Sequence, residues 1–431
     1  MKLMSATDTI YALASGAPPC GVAVVRVSGA KARDVCRAVI GKDAKPGLLG
    51  LVTVSGADGE RIDEGLGLFF AGPRSFTGED VLELQLHGSV AVVESVLERL
   101  SGLGLRHAEP GEFTRRAFEN ERMDLTQIEG LSDLLAARTE TQRRLALAQQ
   151  DGSLRRLYEG WSKRLLHARA MIEAEFDFAD EEDVPDDAGT EAVDAIARLV
   201  SEMERHLAHG RDGEIVRDGF RVALLGPPNA GKSSLLNALA QRDAAIVTDI
   251  PGTTRDPIEV TLARRGMAVV VTDTAGLRDT DDPIEREGVA RSHRVAQRAD
   301  LQVWLVPEDG PHQTMPDTVM LVSKDDEGMS PLPSISVKRA DGLDAFWTVV
   351  DERLARHGSA LEADAPLPTR ARHREGVANA QAHLADAMAS GIGELRAEHL
   401  RAAHHALARI TGRVDVEDLL GVIFSEFCVG K

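Results

Sequence analysis

The sequence predicts a chain of mixed α/β and α class. An N-terminal α/β domain comes first, followed by a helical domain in two pieces with a second α/β domain inserted between them. Three observations carry this division. Strand-like and helix-like stretches alternate up to about residue 120. Apolar residues then take helical spacing from about Leu125 to Phe176, and again from about Arg372 to Leu407. Between the two helical stretches lie an apolar strand, a glycine-rich loop and a helix, centred on Gly226 to Ser234.

In residues 1–120, Val22 to Val27 reads as a strand, Ala30 to Ile40 as a helix and Leu51 to Val54 as a strand. Gly56-Ala-Asp-Gly59 supplies turn chemistry before the strand Ile62 to Phe70. Val81 to Leu86 alternates, with Leu82, Leu84 and Leu86 on one face and Glu83 on the other. Val90 to Leu100 is helical. Residues 121–216 form the first helical piece, with Leu154, Leu157, Trp161 and Leu165 on one stripe. The acidic run Asp180 to Asp187 interrupts it as a solvated loop or helix end, and Ala192 to Leu207 resumes the pattern. Residues 217–355 form the inserted domain. After it, Ala365-Pro-Leu-Pro368 reads as a linker inside the second helical piece, residues 356–431. Helices flanking an insertion commonly pack together, because an inserted domain's termini lie close.

Gly226-Pro-Pro-Asn-Ala-Gly-Lys-Ser-Ser234 fits G-x-x-x-x-G-K-[ST], with the required strand before it and helix after it. Gly226 and Gly231 let the backbone turn its N–H groups towards phosphate oxygens. The helix start adds its positive end. Asn229, Ala230, Gly231, Lys232, Ser233 and Ser234 are therefore placed on a nucleoside triphosphate, with Lys232 reaching the β- and γ-phosphates and Ser233 holding Mg²⁺. Asp273, Thr274, Ala275 and Gly276 follow an apolar strand; the aspartate backs the Mg²⁺ shell and Gly276 offers its N–H to the γ-phosphate. Thr248, Asp249, Ile250, Pro251, Gly252, Thr253 and Thr254 fit a first switch segment, with the Thr254 hydroxyl on Mg²⁺. Ser323, Lys324, Asp325 and Asp326 stand where N-K-x-D reads guanine: Asp326 can accept two hydrogen bonds that adenine cannot supply. Ser323 replaces the usual asparagine and weakens one clamp on the base. Ser336, Val337 and Lys338 match the further base-contacting element. The inserted domain is thus a Ras-like P-loop GTPase domain using GTP.

At 431 residues and 43% hydrophobic content the chain can bury several cores. No apolar run approaches membrane-spanning length, and Met1-Lys-Leu-Met4 opens no signal peptide, so no membrane association and a cytoplasmic location are expected. Three cysteines, Cys20, Cys36 and Cys428, are too few and scattered for a disulfide or zinc framework. A net charge of −19 opposes non-specific nucleic-acid binding, so any RNA role needs a local basic surface or a partner.

Further motifs span the chain: Asp8-Thr-Ile10, Val25-Arg-Val-Ser-Gly29, Ser75-Phe-Thr-Gly-Glu-Asp80, Pro110-Gly-Glu-Phe113 and Phe427-Cys-Val-Gly-Lys431. Together with the inserted GTPase domain they make the chain resemble the MnmE (TrmE) family of tRNA-modifying GTPases over essentially its whole length. The resemblance implies a homodimer, dimerising through a folate-binding N-terminal domain. It also implies a complex of heterotetramer type with the FAD-dependent partner MnmG (GidA), FAD entering only through that partner. The product would be an aminomethyl-type (carboxymethylaminomethyl) group at C5 of wobble uridine in tRNA. The one-carbon unit would come from 5-formyltetrahydrofolate or a related folate. Carried over by position, the folate site comprises Arg26, Glu83, Arg122 and Lys431, with Arg122 where the family usually has lysine. Bare sequence reads these as ordinary surface charges. Cys428 reads either as a thiol catalyst or as a small apolar residue beside Phe427 and Val429.

Leu277 stands where Ras-like enzymes carry the glutamine that orients water. The resemblance implies a substitute, Glu285, as catalytic residue beside Lys232. It further implies K⁺ held by Asn229 with the carbonyls of Thr248, Ile250 and Thr253, its charge offsetting that on the leaving oxygen. Arg255 and Arg278 remain rival cationic groups. The alternative reading is a regulatory or assembly GTPase, of ribosome-biogenesis type, without tRNA-modifying chemistry.

Overall fold

The computed structural model describes residues 8–177, 188–242, 259–274, 295–307, 318–339, 341–362, 366–390, 393–414, 420–421, 423–424, 427 and 429–430. They fall into two compact units, residues 1–132 with 408–431, and residues 133–407.

The first unit is built on six strands, β1 (Ile10–Leu13), β2 (Cys20–Ser28), β3 (Gly47–Ser55), β4 (Arg61–Phe70), β5 (Val81–Gly88) and β6 (Arg106–His107). Their order is β3-β4-β5-β2-β1-β6, antiparallel except for the β1–β6 edge pair. Helices α1 (Ala32–Ile40) and α2 (Val90–Gly102) cover one face. The alternation of β5 does what its pattern dictates: Leu82, Leu84 and Leu86 enter the core with Val25 and Val27, while Glu83 faces out opposite Arg26. Helix α3 (Glu112–Glu119) and the start of α4 (Leu125–Ala136) follow. A second small core joins Leu125 and Ile128 to Ile423, Phe424 and Phe427, so these residues from beyond the second unit are folded into the first.

The second unit begins with α5 (Glu140–Gln150), closed by a capping box between Thr139 and Gln142. Helices α6 (Ser153–Asp177), α7 (Ala188–Ala208) and α8 (Gly210–Asp218) lead into the nucleotide-binding fold. The buried stripe of α6 runs Leu154, Tyr158, Trp161, Leu165, Ala168, Ile172. Leu157, expected on that stripe, is only half-buried, because 3.6-residue periodicity puts Tyr158 beneath the neighbouring helix and Leu157 at the stripe's edge. The sheet comprises β7 (Phe220–Leu225), β8 (Glu259–Arg264), β9 (Met267–Asp273), β10 (Leu301–Pro307), β11 (Thr318–Ser323) and β12 (Ser334–Ile335). Its order is β12-β11-β10-β7-β9-β8, parallel throughout except for β8. Parallel strands buried on both faces read as near-continuous apolar runs, as β7, β9 and β10 do. Helices α9 (Lys232–Arg242) and α10 (Asp344–Glu362) flank the sheet. Helix α11 (Ala371–Ala389), from beyond the insertion, packs on α7, from before it, and α12 (Gly393–Thr411) follows.

Where these helices meet, the Tyr158 hydroxyl lies 3.0 Å from His206 Nε2, and Trp161 donates to Glu202 at 3.0 Å. Burial, aided by the nearby His373, pushes the His206 imidazole down to about 4 from 6.5. A histidine kept neutral in the fold but free to protonate when unfolded contributes stability that is full above its unfolded value. That stability is lost as pH falls from 6.5 to about 4. Unfolding free energy of this helical region is expected to drop by about 3 kcal/mol across that window. Hydrogen exchange at the amides of α6 and α7, corrected for the intrinsic pH dependence of exchange, checks it, and His206→Gln should flatten the dependence.

Candidate functional site

Strand β7 delivers the chain to the phosphate-type loop. Gly226 sits at φ +140°, where a Cβ would lie 2.4 Å from the Leu305 carbonyl oxygen, so glycine is required for the turn. Asn229 is left-handed, φ +64°, and exposed; Ala230 is buried, and Gly231 has φ +91°. Helix α9 starts at Lys232, turning its free N–H groups and positive dipole end towards the loop. Ser234 is exposed at the same turn.

The Lys232 ammonium donates to the carbonyls of Gly226 (3.0 Å) and Pro227 (3.1 Å). Burial lowers its pKa, while the Asp273 charge works the other way. Ser233 donates to Asp273 Oδ2, and Asp273 Oδ1 is buried without a hydrogen-bond partner among the described residues. A hydroxyl beside a carboxylate with an unused buried oxygen is a hard-oxygen donor pair that fits Mg²⁺. Thr274 turns inward, its hydroxyl donating to the Leu224 carbonyl at 2.6 Å, and thereby ties the end of β9 to β7.

At the end of β11 the four predicted base-reading residues divide. Ser323 is buried, donating to the Val306 carbonyl at 3.2 Å, and Lys324 takes the left-handed φ of +66°. Asp325 is buried and accepts from Met329 N (2.9 Å), Ser330 N (3.3 Å) and Ser334 Oγ (2.6 Å), so it shapes the loop. Asp326 faces outward, accepting from Ser336 Oγ at 2.7 Å and Lys338 Nζ at 2.5 Å. Lys338, then Ser336, hold it below the usual carboxylate range and hence ionised. Val337 between them is exposed. Of the two aspartates, Asp326 is the exposed one. Thr248, Asp249, Ile250, Pro251, Gly252, Thr253, Thr254, Ala275, Gly276 and Glu285 lie outside the described residues, as do Arg255, Arg278 and the acidic run.

In the first unit, Arg26 Nε donates to Glu83 Oε1 at 2.7 Å across the β2–β5 pair. Its guanidinium lies 5.4 Å from the Phe76 ring and 5.5 Å from that of Phe113, and Nη1 donates to the Gly430 carbonyl at 3.5 Å. The C-terminal segment is pinned there by a bridge between Val429 and Pro110. Gly430, at φ +98°, passes so close to β1 that a Cβ would lie 2.0 Å from the Leu13 carbonyl oxygen. Arg122 is exposed, its stem lying beside Gly78. Lys431 and Cys428 lie outside the described residues.

Sequence reasoning missed what lies next to this pair. Arg116 on α3, only 8% exposed, donates to Asp8 (2.5 Å), Glu79 (3.1 Å) and Glu112 (3.1 Å). Arg106 pairs with Asp8 and Glu112 as well, and Ser28 Oγ donates to Glu79 at 2.6 Å. Burial raises the Glu112 pKa, but hydrogen bonds from Arg106 and the Glu109 N–H, with the charges of Arg106 and Arg116, outweigh it, so the net shift is downward. Asp8, Ser28, Glu79 and Glu112 come from four motifs far apart in sequence; their common presence was the signal, and Arg116 is where they meet.

Comparison with known proteins places the whole chain in one family. A profile described as "MnmE helical domain" matches residues 125–428, and one described as "GTP-binding protein TrmE N-terminus" matches residues 9–122. The tRNA modification GTPase MnmE of Rhizobium meliloti is 48% identical over 441 residues, 99% of this chain and 100% of its own. That of Agrobacterium fabrum is 49% identical over 441 residues, 98% and 99% respectively. Among solved structures, the G domain of the T. maritima FeoB iron transporter is 23% identical over 32% of this chain and 98% of its own, at a TM-score of 0.24. With both profiles and near-full-length relatives in agreement, the chain belongs to the MnmE family of tRNA modification GTPases.

Proposed function

We propose that this chain hydrolyses GTP in a K⁺-dependent cycle coupled to homodimerisation. In this reading it works with FAD-dependent MnmG to add a carboxymethylaminomethyl-type group at C5 of tRNA wobble uridine, drawing the carbon from a folate. The observation that carries the GTPase half is the Ser233–Asp273 contact with its unpartnered carboxylate oxygen, set against Lys232 at the head of α9. Ser233, backed by Asp273, and Thr254 would hold Mg²⁺, which supplies charge neutralisation at the phosphates when bound. Lys232 binds the β- and γ-phosphate oxygens, exchanging its two loop carbonyls for them. Asp326 selects guanine. Glu285 orients the attacking water in place of the missing glutamine.

Asn229 supports the K⁺ assignment: it is exposed on the loop, its backbone is in the left-handed region, and its side chain carries an amide oxygen, a donor suited to a monovalent cation. With the carbonyls of Thr248, Ile250 and Thr253 it would hold a large monovalent ion, whose role is to stabilise charge on the leaving oxygen. For the folate, Glu83 offers a carboxylate and Arg26 a guanidinium beside the Phe76 and Phe113 rings, a fit for a flat, hydrogen-bonding heterocycle. Arg122 and Lys431 complete that proposed site.

The test is GTP turnover in KCl against NaCl at matched ionic strength, with and without Asn229→Ala. The rate in KCl is expected to exceed that in NaCl by about tenfold or more, equivalent to roughly 1.4 kcal/mol of transition-state stabilisation. The variant should lose the difference. Equal rates in both salts would overturn the K⁺ assignment and return attention to Arg255 and Arg278.

A further inference from the structure

The end of α11 and the start of α12 bring together three metal-ligating side chains. His383 and Asp386 are three residues apart on α11 and so share a face. His399 on α12 meets them. One ligand atom from each residue lies within 4.8 Å of the others. The two imidazole rings are 6.0 Å apart at a 36° tilt, and His399 Nδ1 is 4.0 Å from Asp386 Oδ2. A second observation concerns His383 alone: its Nδ1 is buried with no hydrogen-bond partner among the described residues. A buried polar atom left unpaired is uncommon in native folds and calls for a ligand, an ion or water. The scaffold is firm, because Arg396 of α12 donates to the carbonyls of Ala387 (3.3 Å) and Ser390 (2.9 Å), fastening one helix to the other beside the cluster.

We propose that the α11–α12 hairpin carries a divalent transition-metal site ligated by His383, Asp386 and His399. Two imidazoles and one carboxylate suit Zn²⁺ and its neighbours Co²⁺ and Ni²⁺, whereas Mg²⁺ and Ca²⁺ prefer all-oxygen shells. Tetrahedral Zn²⁺ with ligands at its usual bond lengths places them roughly 3.3 Å apart, so side-chain rotations of about 1 Å close the set. The fourth position falls to water. The bound ion would cross-link the two helices where they meet. Its nitrogen ligands also separate it chemically from the oxygen donors at Ser233 and Asp273.

The experiment uses the full chain without a histidine tag, titrated with Co²⁺ and read by its visible d–d bands, then back-titrated with Zn²⁺. One equivalent of Co²⁺ with imidazole-shifted bands, displaced by Zn²⁺, is expected. His399→Gln should weaken binding by more than the roughly 10–100-fold that loss of a mere outer-sphere partner costs. Asp386→Asn, at an exposed position that leaves the fold intact, should also weaken it. His167→Gln, at an exposed position on α6, should not. Circular dichroism and GTP turnover of each variant, unchanged from the parent, exclude misfolding. Absence of the Co²⁺ bands, or the same affinity in parent, His399→Gln and Asp386→Asn, would overturn the proposal.

Discussion

Replacing Lys232 by alanine is expected to lower GTP turnover by about 10³-fold, the scale set by removing a preorganised cationic donor from a phosphoryl-transfer site. The side chain's protein partners are two carbonyls of its own loop, Gly226 and Pro227. The substitution therefore removes the donor to one buried and one part-buried carbonyl, next to the exposed Pro228 and Asn229 of the same loop. Phosphate release under saturating GTP checks the rate. Binding of a fluorescent GDP analogue separates the lost chemistry from lost affinity: GDP should weaken less than turnover falls, because, of the two phosphates proposed for Lys232, it keeps only the β-phosphate. A turnover within threefold of the parent would show that the ammonium plays no part.

Replacing Arg116 by leucine is expected to destabilise the first unit by about 3–5 kcal/mol, the cost of removing one partner from a buried ion cluster. Asp8, Glu79 and Glu112 converge on that guanidinium, and Glu112 is itself only 9% exposed. Arg106 can compensate for Asp8 and Glu112, but among the described residues the Glu79 carboxylate would keep the Ser28 hydroxyl alone. Hydrogen exchange at the amides of β1, β2 and α3 is the suitable measurement, because a chain of several domains does not unfold as a single two-state system. Exchange should accelerate there and stay constant in β7, β9 and β10. Arg116→Lys should rescue little, since a single ammonium cannot satisfy three carboxylates with a planar fork's geometry.

The phosphate loop was legible in the sequence because its chemistry is local. Gly226, Gly231, Lys232 and Ser233 lie within eight residues of one another, and backbone conformation follows directly from residue type there. The core face of β5 was legible for the same reason, as strict alternation leaves one answer. The stripe of α6 was nearly so: Leu154, Trp161 and Leu165 were expected, and Tyr158 takes the place expected of Leu157, one residue and about 100° away around the helix. The charged residues were not legible from their surroundings. Arg116 looks like any arginine of an amphipathic helix until Asp8 and Glu79, 108 and 37 residues away, are brought to it by the fold. Asp325 and Asp326 are neighbours of one type, and only the turn after β11 sends one inward as a loop anchor and the other outward with Lys338.

The contact between Arg26 and the Gly430 carbonyl bridges 404 positions of the chain. Synthesis runs from the N-terminus, so the sheet that bears Arg26 leaves the ribosome long before the segment that bears Gly430, with all of the second unit made in between. The closure entropy of so long a loop grows only as the logarithm of its length, and so adds little to its thermodynamic cost. Its effect is on timing. The Arg26–Glu83 pair gains its neighbour Gly430 only after the whole second unit has been made, and a product interrupted anywhere in the nucleotide-binding fold would carry a first sheet with that neighbour missing.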